Sequence, residues 1–206
     1  MRKKSLESRK TNKLTYGVGL NDADYVVNSM VAGKQYMCPL YMSWRDMMCR
    51  CYSEKYQKRY PAYKGCEVCE EWKTFMAFRS WMAEQDWQGK QLDKDFLGNG
   101  KLYAPDTCVF IPSWLNTLFM DCRKSRGNYP QGVSKRRKGY LMSVHINGSR
   151  VTKNYNTVEE AATAYVQAKT AHVRSLYPLI ESIDPRLVPA CERKLKQLQA
   201  QTGDTL

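Results

Sequence analysis

Along the first half of the chain the apolar residues recur at helical intervals. After Pro39, Tyr41, Trp44, Met48 and Cys51/Tyr52 follow one another at spacings of three and four, one face of a helix opened by a proline. Pro61 and Gly65 interrupt the pattern, and Trp72, Phe75, Phe78 and Met82 resume it, with Lys73, Arg79 and Glu84 elsewhere around the helix. An aromatic stripe at that spacing reads as core. Before both helices, Tyr16 to Tyr36 mixes glycines with short β-prone runs such as Tyr25-Val26-Val27, which predicts loops and a weak hairpin.

From Lys90 the period changes to two. Leu92 and Phe96 alternate with Asp93 and Asp95, which predicts a short half-buried strand over residues 91–96. The Gly98-Asn99-Gly100 turn and a loop through Pro105 lead to a second run, residues 107–112. Ser113 then stands as an N-cap before Trp114, Leu115, Leu118 and Phe119, so residues 90–121 spell strand, loop, strand, helix. Residues 123–130 are polar and basic and form the best domain boundary.

Beyond it, residues 132–134 read as a short strand, 135–139 as a turn, 140–146 as a second strand and 150–155 as a third, with Asn147-Gly148 as the hairpin turn. Thr157 with Glu160 three residues on predicts a capping box. The helix behind it, Val158 to about Leu176, places Val158, Ala161, Ala162, Tyr165, Ala168 and His172 on one face. The period of two puts Met142, Val144 and Ile146 against this helix and turns Leu141, Ser143 and His145 away from it. After Pro178 a short helix over 189–199 and a polar tail close the chain. The fold class expected is α+β, with a mixed N-terminal domain over 14–122 and a three-stranded antiparallel sheet packed on one helix over 131–178.

Composition changes this picture in one respect. The 206 residues are 43% hydrophobic and 26% charged, an ordinary globular balance without any run approaching the ~20 apolar residues of a membrane helix. The basic N-terminus lacks the apolar stretch of a secretory signal. The eight cysteines are therefore expected as reduced thiols in a cytoplasm. Thirty-three Lys and Arg face twenty Asp and Glu, a net +13 that favours a polyanionic partner. Residues 1–13 form a basic tail with six cations against Glu7. Between Arg123 and Lys153 stand nine basic residues and no acidic one (Arg123, Lys124, Arg126, Lys135, Arg136, Arg137, Lys138, Arg150, Lys153). A cation run without interleaved acids, on β-structure, has the footprint of a nucleic-acid surface.

Two resemblances sharpen the reading. The segment GVSKRRKGYLMSVHINGSRVTKNYNTVEEAATAYVQAK resembles an AP2-type DNA-binding domain in Gly132-Val133-Ser134, Tyr140, Asn147-Gly148, Tyr155, Thr157, Glu159-Glu160-Ala161-Ala162 and Ala164-Tyr165. It departs from the family at Thr152-Lys153, where Leu-Gly is usual. The segment LDKDFLGNGKLYAPDTCVFIPSWLN resembles the core of phage-type HNH (ββα-metal) endonucleases, which often carry an AP2 domain in the same order. Upstream, RCYSEKY and YKGCEVCEEWKTFMAFRSWM are similar to the helical lead-in of phage proteins of this group. The resemblances imply a phage or mobile-element origin, an HNH-like ββα domain followed by an AP2-like one, and double-stranded DNA as partner.

They also imply site residues. Lys94 stands where the nuclease family has its general-base histidine; Asp93 matches the neighbouring carboxylate, Asp106 the middle motif and Asn116 the helix residue. A protonated lysine is a poor base, so the expectation is a degenerate or atypical nuclease. An Mg²⁺- or Mn²⁺-dependent homing-type endonuclease, with the ion at Asp93 and Asn116 and with Asp95 nearby, is the alternative. A phage inhibitor that binds a host protein is a second alternative. The candidate DNA contacts are Lys135, Arg136, Arg137, Lys138, Tyr140, Leu141, Ser143, His145, Arg150 and Lys153. Cys66 and Cys69 have the spacing of a zinc knuckle that Cys38 with Cys49 or Cys51 would complete, although no second Cys-x-x-Cys supports it.

Overall fold

Pro39 at the first helical position begins α1 (Pro39–Tyr52), whose Trp44, Met47, Met48 and Cys51 are buried. The computed structural model describes residues 14–98, 100–120 and 128–203. The basic tail, the cations Arg123, Lys124 and Arg126, and Asn99 of the expected turn lie outside the described residues. The chain forms two compact units that meet in sequence between Ser113 and Trp114, ahead of the boundary expected at 123–130.

In the first unit a hairpin, β1 (Asn28–Val31) and β2 (Lys34–Met37), occupies the stretch read as loops with a weak hairpin. A short helix that the sequence pattern did not reveal, α2 (Glu54–Arg59), follows α1 directly; Ser53 caps it by accepting the Tyr56 N–H. β3 (Glu67–Val68) pairs in parallel with β5 (Leu102–Tyr103), and β4 (Gln91–Asp93) pairs antiparallel with β6 (Val109–Ile111). Between β3 and β4 lies α3 (Phe75–Ala83). Trp72, Phe75, Phe78 and Met82 join Trp44, Met47 and Met48 in one core cluster, as the aromatic stripe predicted. Trp44 is pinned there by its indole N–H, which donates to Trp72 O at 2.7 Å. The strand expected over 91–96 stops at Asp93, whose carboxylate accepts the N–H groups of Asp95 and Phe96 and turns the chain.

The second unit opens with α4 (Ser113–Leu118), in which Ser113 is the first helical residue. β7 (Val133–Lys135), β8 (Tyr140–Ile146) and β9 (Ser149–Tyr155) then form an antiparallel sheet in that order. Asn147 and Gly148 both take positive φ, the two-residue turn whose twist suits a hairpin. Thr157 and Glu160 make the predicted capping box at the head of α5 (Val158–Ser175). Val133, Met142 and Val144 pack against Ala161, Ala162, Tyr165 and Val166.

Two expectations need correction here. Pro178 does not end the helical structure; it sits in the first turn of α6 (Tyr177–Ile183), where its missing N–H costs nothing. The last helix, α7 (Leu187–Gly203), is longer than expected, and its Leu198 shares the core under the sheet, so α5 is not alone there. With helices as neighbours as well as a sheet, α5 buries a wider arc, and Lys169 and Val173 are more deeply covered than His172. The architecture is α+β. Among the described residues no helix is long and apolar enough to cross a membrane.

Candidate nucleic-acid interface

The β8–β9 hairpin arranges the basic residues by parity. Its register sets Leu141 opposite Asn154, Ser143 opposite Thr152 and His145 opposite Arg150. Successive side chains alternate between faces, so these six point away from α5, while Met142 and Val144 point toward it. Arg136, Arg137 and Lys138 reach the same open side from the β7–β8 turn, which the Arg136 N–H closes on Gly139 O at 3.1 Å. Together with Leu141, Arg150, Thr152 and Asn154 they line a shallow depression of about 950 Å³. Leu141, 9% exposed, forms its apolar floor. Arg150 Nε donates to Ser143 Oγ at 2.7 Å, which ties the guanidinium down across the sheet.

No carboxylate lines this depression. Among the described residues Arg136, Arg137, Lys138 and Arg150 form no ion pair, and all four side chains are exposed. The charges of Arg136, Arg137 and Arg150 therefore project into solvent, whereas Lys138 also lines the neighbouring cleft that holds Glu159 and Glu160.

Three of the sequence-predicted contacts fall elsewhere. Lys135 and Lys153 pair with Tyr140 and Met142, residues of the helix-facing parity, so Lys135, Tyr140 and Lys153 lie on the other side of the sheet. The Lys135 ammonium rests 4.1 Å from the Tyr140 ring centroid and that of Lys153 5.4 Å from Tyr155. Lys153 lines a second cleft with Glu159 and Glu160. A run of cations in sequence is thus split between two faces by the strand period. Thr152 and Asn154, overlooked in the sequence, belong to the open face; counting back from the Asn147-Gly148 turn would have found both.

Lys94 is 4% exposed, and its Nζ donates to Asp95 Oδ1 at 2.7 Å. The ammonium lies 5.4 Å and 5.6 Å from the ring centroids of Tyr63 and Tyr103. Burial works against its charge, but the hydrogen bond and charge of Asp95 outweigh that and hold its pKa above the ordinary lysine value. A lysine kept protonated cannot accept a proton from water. Asp93 Oδ1 already accepts two backbone N–H groups, at 2.8 Å and 2.7 Å. Asp106 is exposed in the loop after β5, and Asn116 sits half-buried on α4, in the second unit.

The thiols have other partners. Cys38 Sγ lies 3.9 Å from the Tyr25 hydroxyl, and Cys66 Sγ donates to Gly100 O at 3.6 Å. Burial pushes the Cys51 thiol up to about 12 and also raises Cys69, so both are neutral thiols near pH 7. Among the described residues no group of three or more His, Cys, Asp and Glu is placed to hold a metal ion. The donors present do not fit a catalytic divalent ion, because Asp93 spends an oxygen on two backbone N–H groups and Asp95 is paired with the Lys94 ammonium.

The Lys94–Asp95 pair makes a stability prediction. Its folded-state pKa lies above the unfolded value of about 10.4, so the contribution is present in full below that pH and is lost as pH rises through the folded pKa. Asp95 is mostly exposed, so Asp95→Ala is expected to cost only about 1 kcal/mol. Urea midpoints at about pH 8 and about pH 11 should fall further for the natural chain than for Lys94→Met. Equal falls would show that the pair does not stabilise the unit.

Comparison with protein-family models, with curated proteins and with solved structures returned no match.

Proposed function

We propose that this chain is a phage-encoded double-stranded-DNA-binding protein. Its second unit is an AP2-like module that lays the open face of its sheet in the major groove. Its first unit is an HNH-like domain in which Lys94 has become a structural cation. The observation that carries the reading is the acid-free depression around Leu141, ringed by Arg136, Arg137, Lys138 and Arg150.

The dimensions fit. β8 and β9 each run seven residues, roughly 23 Å at about 3.3 Å per residue, or about seven base steps of 3.4 Å. A major groove about 12 Å wide admits a pair of strands spaced about 4.8 Å apart. Arg136, Arg137 and Lys138, at the rim, meet phosphates and set the register. Arg150, steadied by Ser143, presents its fork to a guanine edge. Asn154 suits an adenine edge, and Leu141 packs on a thymine methyl.

Hydrolysis is not part of this proposal, since a buried, Asp95-paired ammonium occupies the general-base position.

Fluorescence anisotropy of a labelled duplex, titrated with the full chain at several salt concentrations, tests the reading. Log affinity is expected to fall linearly with log salt, with a slope of about −3 if the three rim cations each displace a counterion. A slope near zero, or no binding at low salt, would overturn it.

A further inference from the structure

A second cationic surface lies on the first unit. Between Glu54 and Glu67 the chain holds Lys55, Lys58, Arg59 and Lys64 and no acidic residue. All four side chains are exposed. Interleaved with them are Tyr56, Tyr60 and Tyr63. The Tyr56 ring centroid is 4.7 Å from that of Tyr60 and 5.7 Å from that of Tyr63. Tyr60 remains 41% exposed, and the Arg59 guanidinium lies over it at 5.4 Å.

The cluster is held firmly. Gln57 Nε2 donates to the carbonyls of Arg50, Cys51 and Tyr63, which clamps α2 and the turn at Pro61–Tyr63 to the end of α1. Lys101 Nζ donates to Lys64 O at 2.7 Å from the other side. Tyr63 is anchored below by the cations of Arg50 and Lys94. The rings are thus pre-set, with little ordering left for a ligand to impose.

Burial does not explain this arrangement, since none of α2's residues is buried. One exposed ring packed on a half-buried one, flanked by cations at short intervals, suits what an unpaired nucleic-acid strand offers: a base face to stack and phosphates to neutralise. A duplex keeps its base faces stacked inside and cannot use the rings. An acidic peptide could use the cations but has no planar groups for the tyrosines.

We infer that Tyr60, Tyr56 and the cations Lys55, Lys58, Arg59 and Lys64 form a binding platform for single-stranded nucleic acid. A base takes the exposed face of Tyr60 in place of the Arg59 guanidinium, which swings out to a phosphate. The platform is distinct from the proposed duplex-binding sheet and does not depend on it.

The test uses the full chain carrying Arg136→Ala, Arg137→Ala and Arg150→Ala, so that the sheet contributes little. Anisotropy is read with oligothymidylate, oligouridylate and an abasic oligomer of equal length and charge. The base-bearing strands are expected to bind about tenfold tighter than the abasic one. Adding Tyr60→Ala should abolish that preference, while Tyr60→Phe should retain it. Arg59→Ala should weaken all three strands and reduce the salt slope by about one. If base-bearing and abasic strands bind alike, if Tyr60→Ala leaves the preference intact, or if no strand binds, the platform is refuted. Those results leave duplex binding by the unmodified sheet to be judged separately. A gap between the thymidine and uridine strands assigns the platform to DNA or to RNA.

Discussion

Arg137→Ala combined with Arg150→Ala is expected to weaken duplex binding about fiftyfold at 0.15 M salt, and to reduce the salt slope by about one, since only Arg137 meets a phosphate. Both arginines stand on the open side of the sheet, one in the β7–β8 turn and one opposite His145. Net charge alone would predict the same loss for any two cations, so a charge-matched control is decisive. Lys135→Ala with Lys153→Ala removes two cations from the helix-facing side, where each already rests on a tyrosine ring. That pair should cost only about threefold, the residue of long-range attraction screened over about 8 Å. Equal losses from the two pairs would mean that overall charge attracts DNA and that the sheet has no preferred face. Ser143→Ala should fall between them, because it frees the Arg150 fork without removing it.

Gly132→Ala is expected to destabilise the second unit by about 3–5 kcal/mol. A Cβ at this position would come within 2.0 Å of the Tyr165 ring, and the backbone has φ +78°, where an L side chain is strained. Neither partner can yield easily. Tyr165 is 5% exposed and packed among Ala161, Ala162 and Met142, while Gly132 O accepts the Ser143 N–H at 2.8 Å. The two units allow the effect to be localised. Trp44, Trp72, Trp81 and Trp87 all precede the boundary and only Trp114 follows it. The loss should therefore appear in far-ultraviolet circular dichroism at a denaturant concentration where tryptophan emission is little changed. Tyr165→Leu in the Gly132→Ala background should recover part of the loss, a coupling expected of groups in contact. A midpoint unmoved by Gly132→Ala would refute the close approach.

Much of the second unit could be read from the chain alone because its signals are local. Asn147-Gly148 dictates a tight hairpin turn, the Thr157–Glu160 box marks the start of a helix, and the alternation of Met142, Val144 and Ile146 with Ser143 and His145 selects the helix-facing side of β8. Each acts within a few residues. The strand read over 91–96 failed for a reason of the same kind that was overlooked: Asp93 can turn its carboxylate back on the N–H groups of Asp95 and Phe96. α2 escaped notice because it buries nothing and so leaves no apolar stripe. The parallel pairing of β3 with β5 joins segments 34 to 35 residues apart and has no local mark.

The candidate site divides along the same line. Sequence by itself determined that cations crowd one β-region without acids and that Leu141, Ser143 and His145 share the face away from the helix. Composition and a period of two suffice for those statements. Only the tertiary structure decided that Lys94 is sealed between Tyr63 and Tyr103, and that the cations of Arg50 and Lys94 lie against the Tyr63 ring. The physical reason is range. Turns, caps and alternation are set by neighbours along the backbone, whereas the environment of a charge or a ring is set by whichever distant segments fold around it.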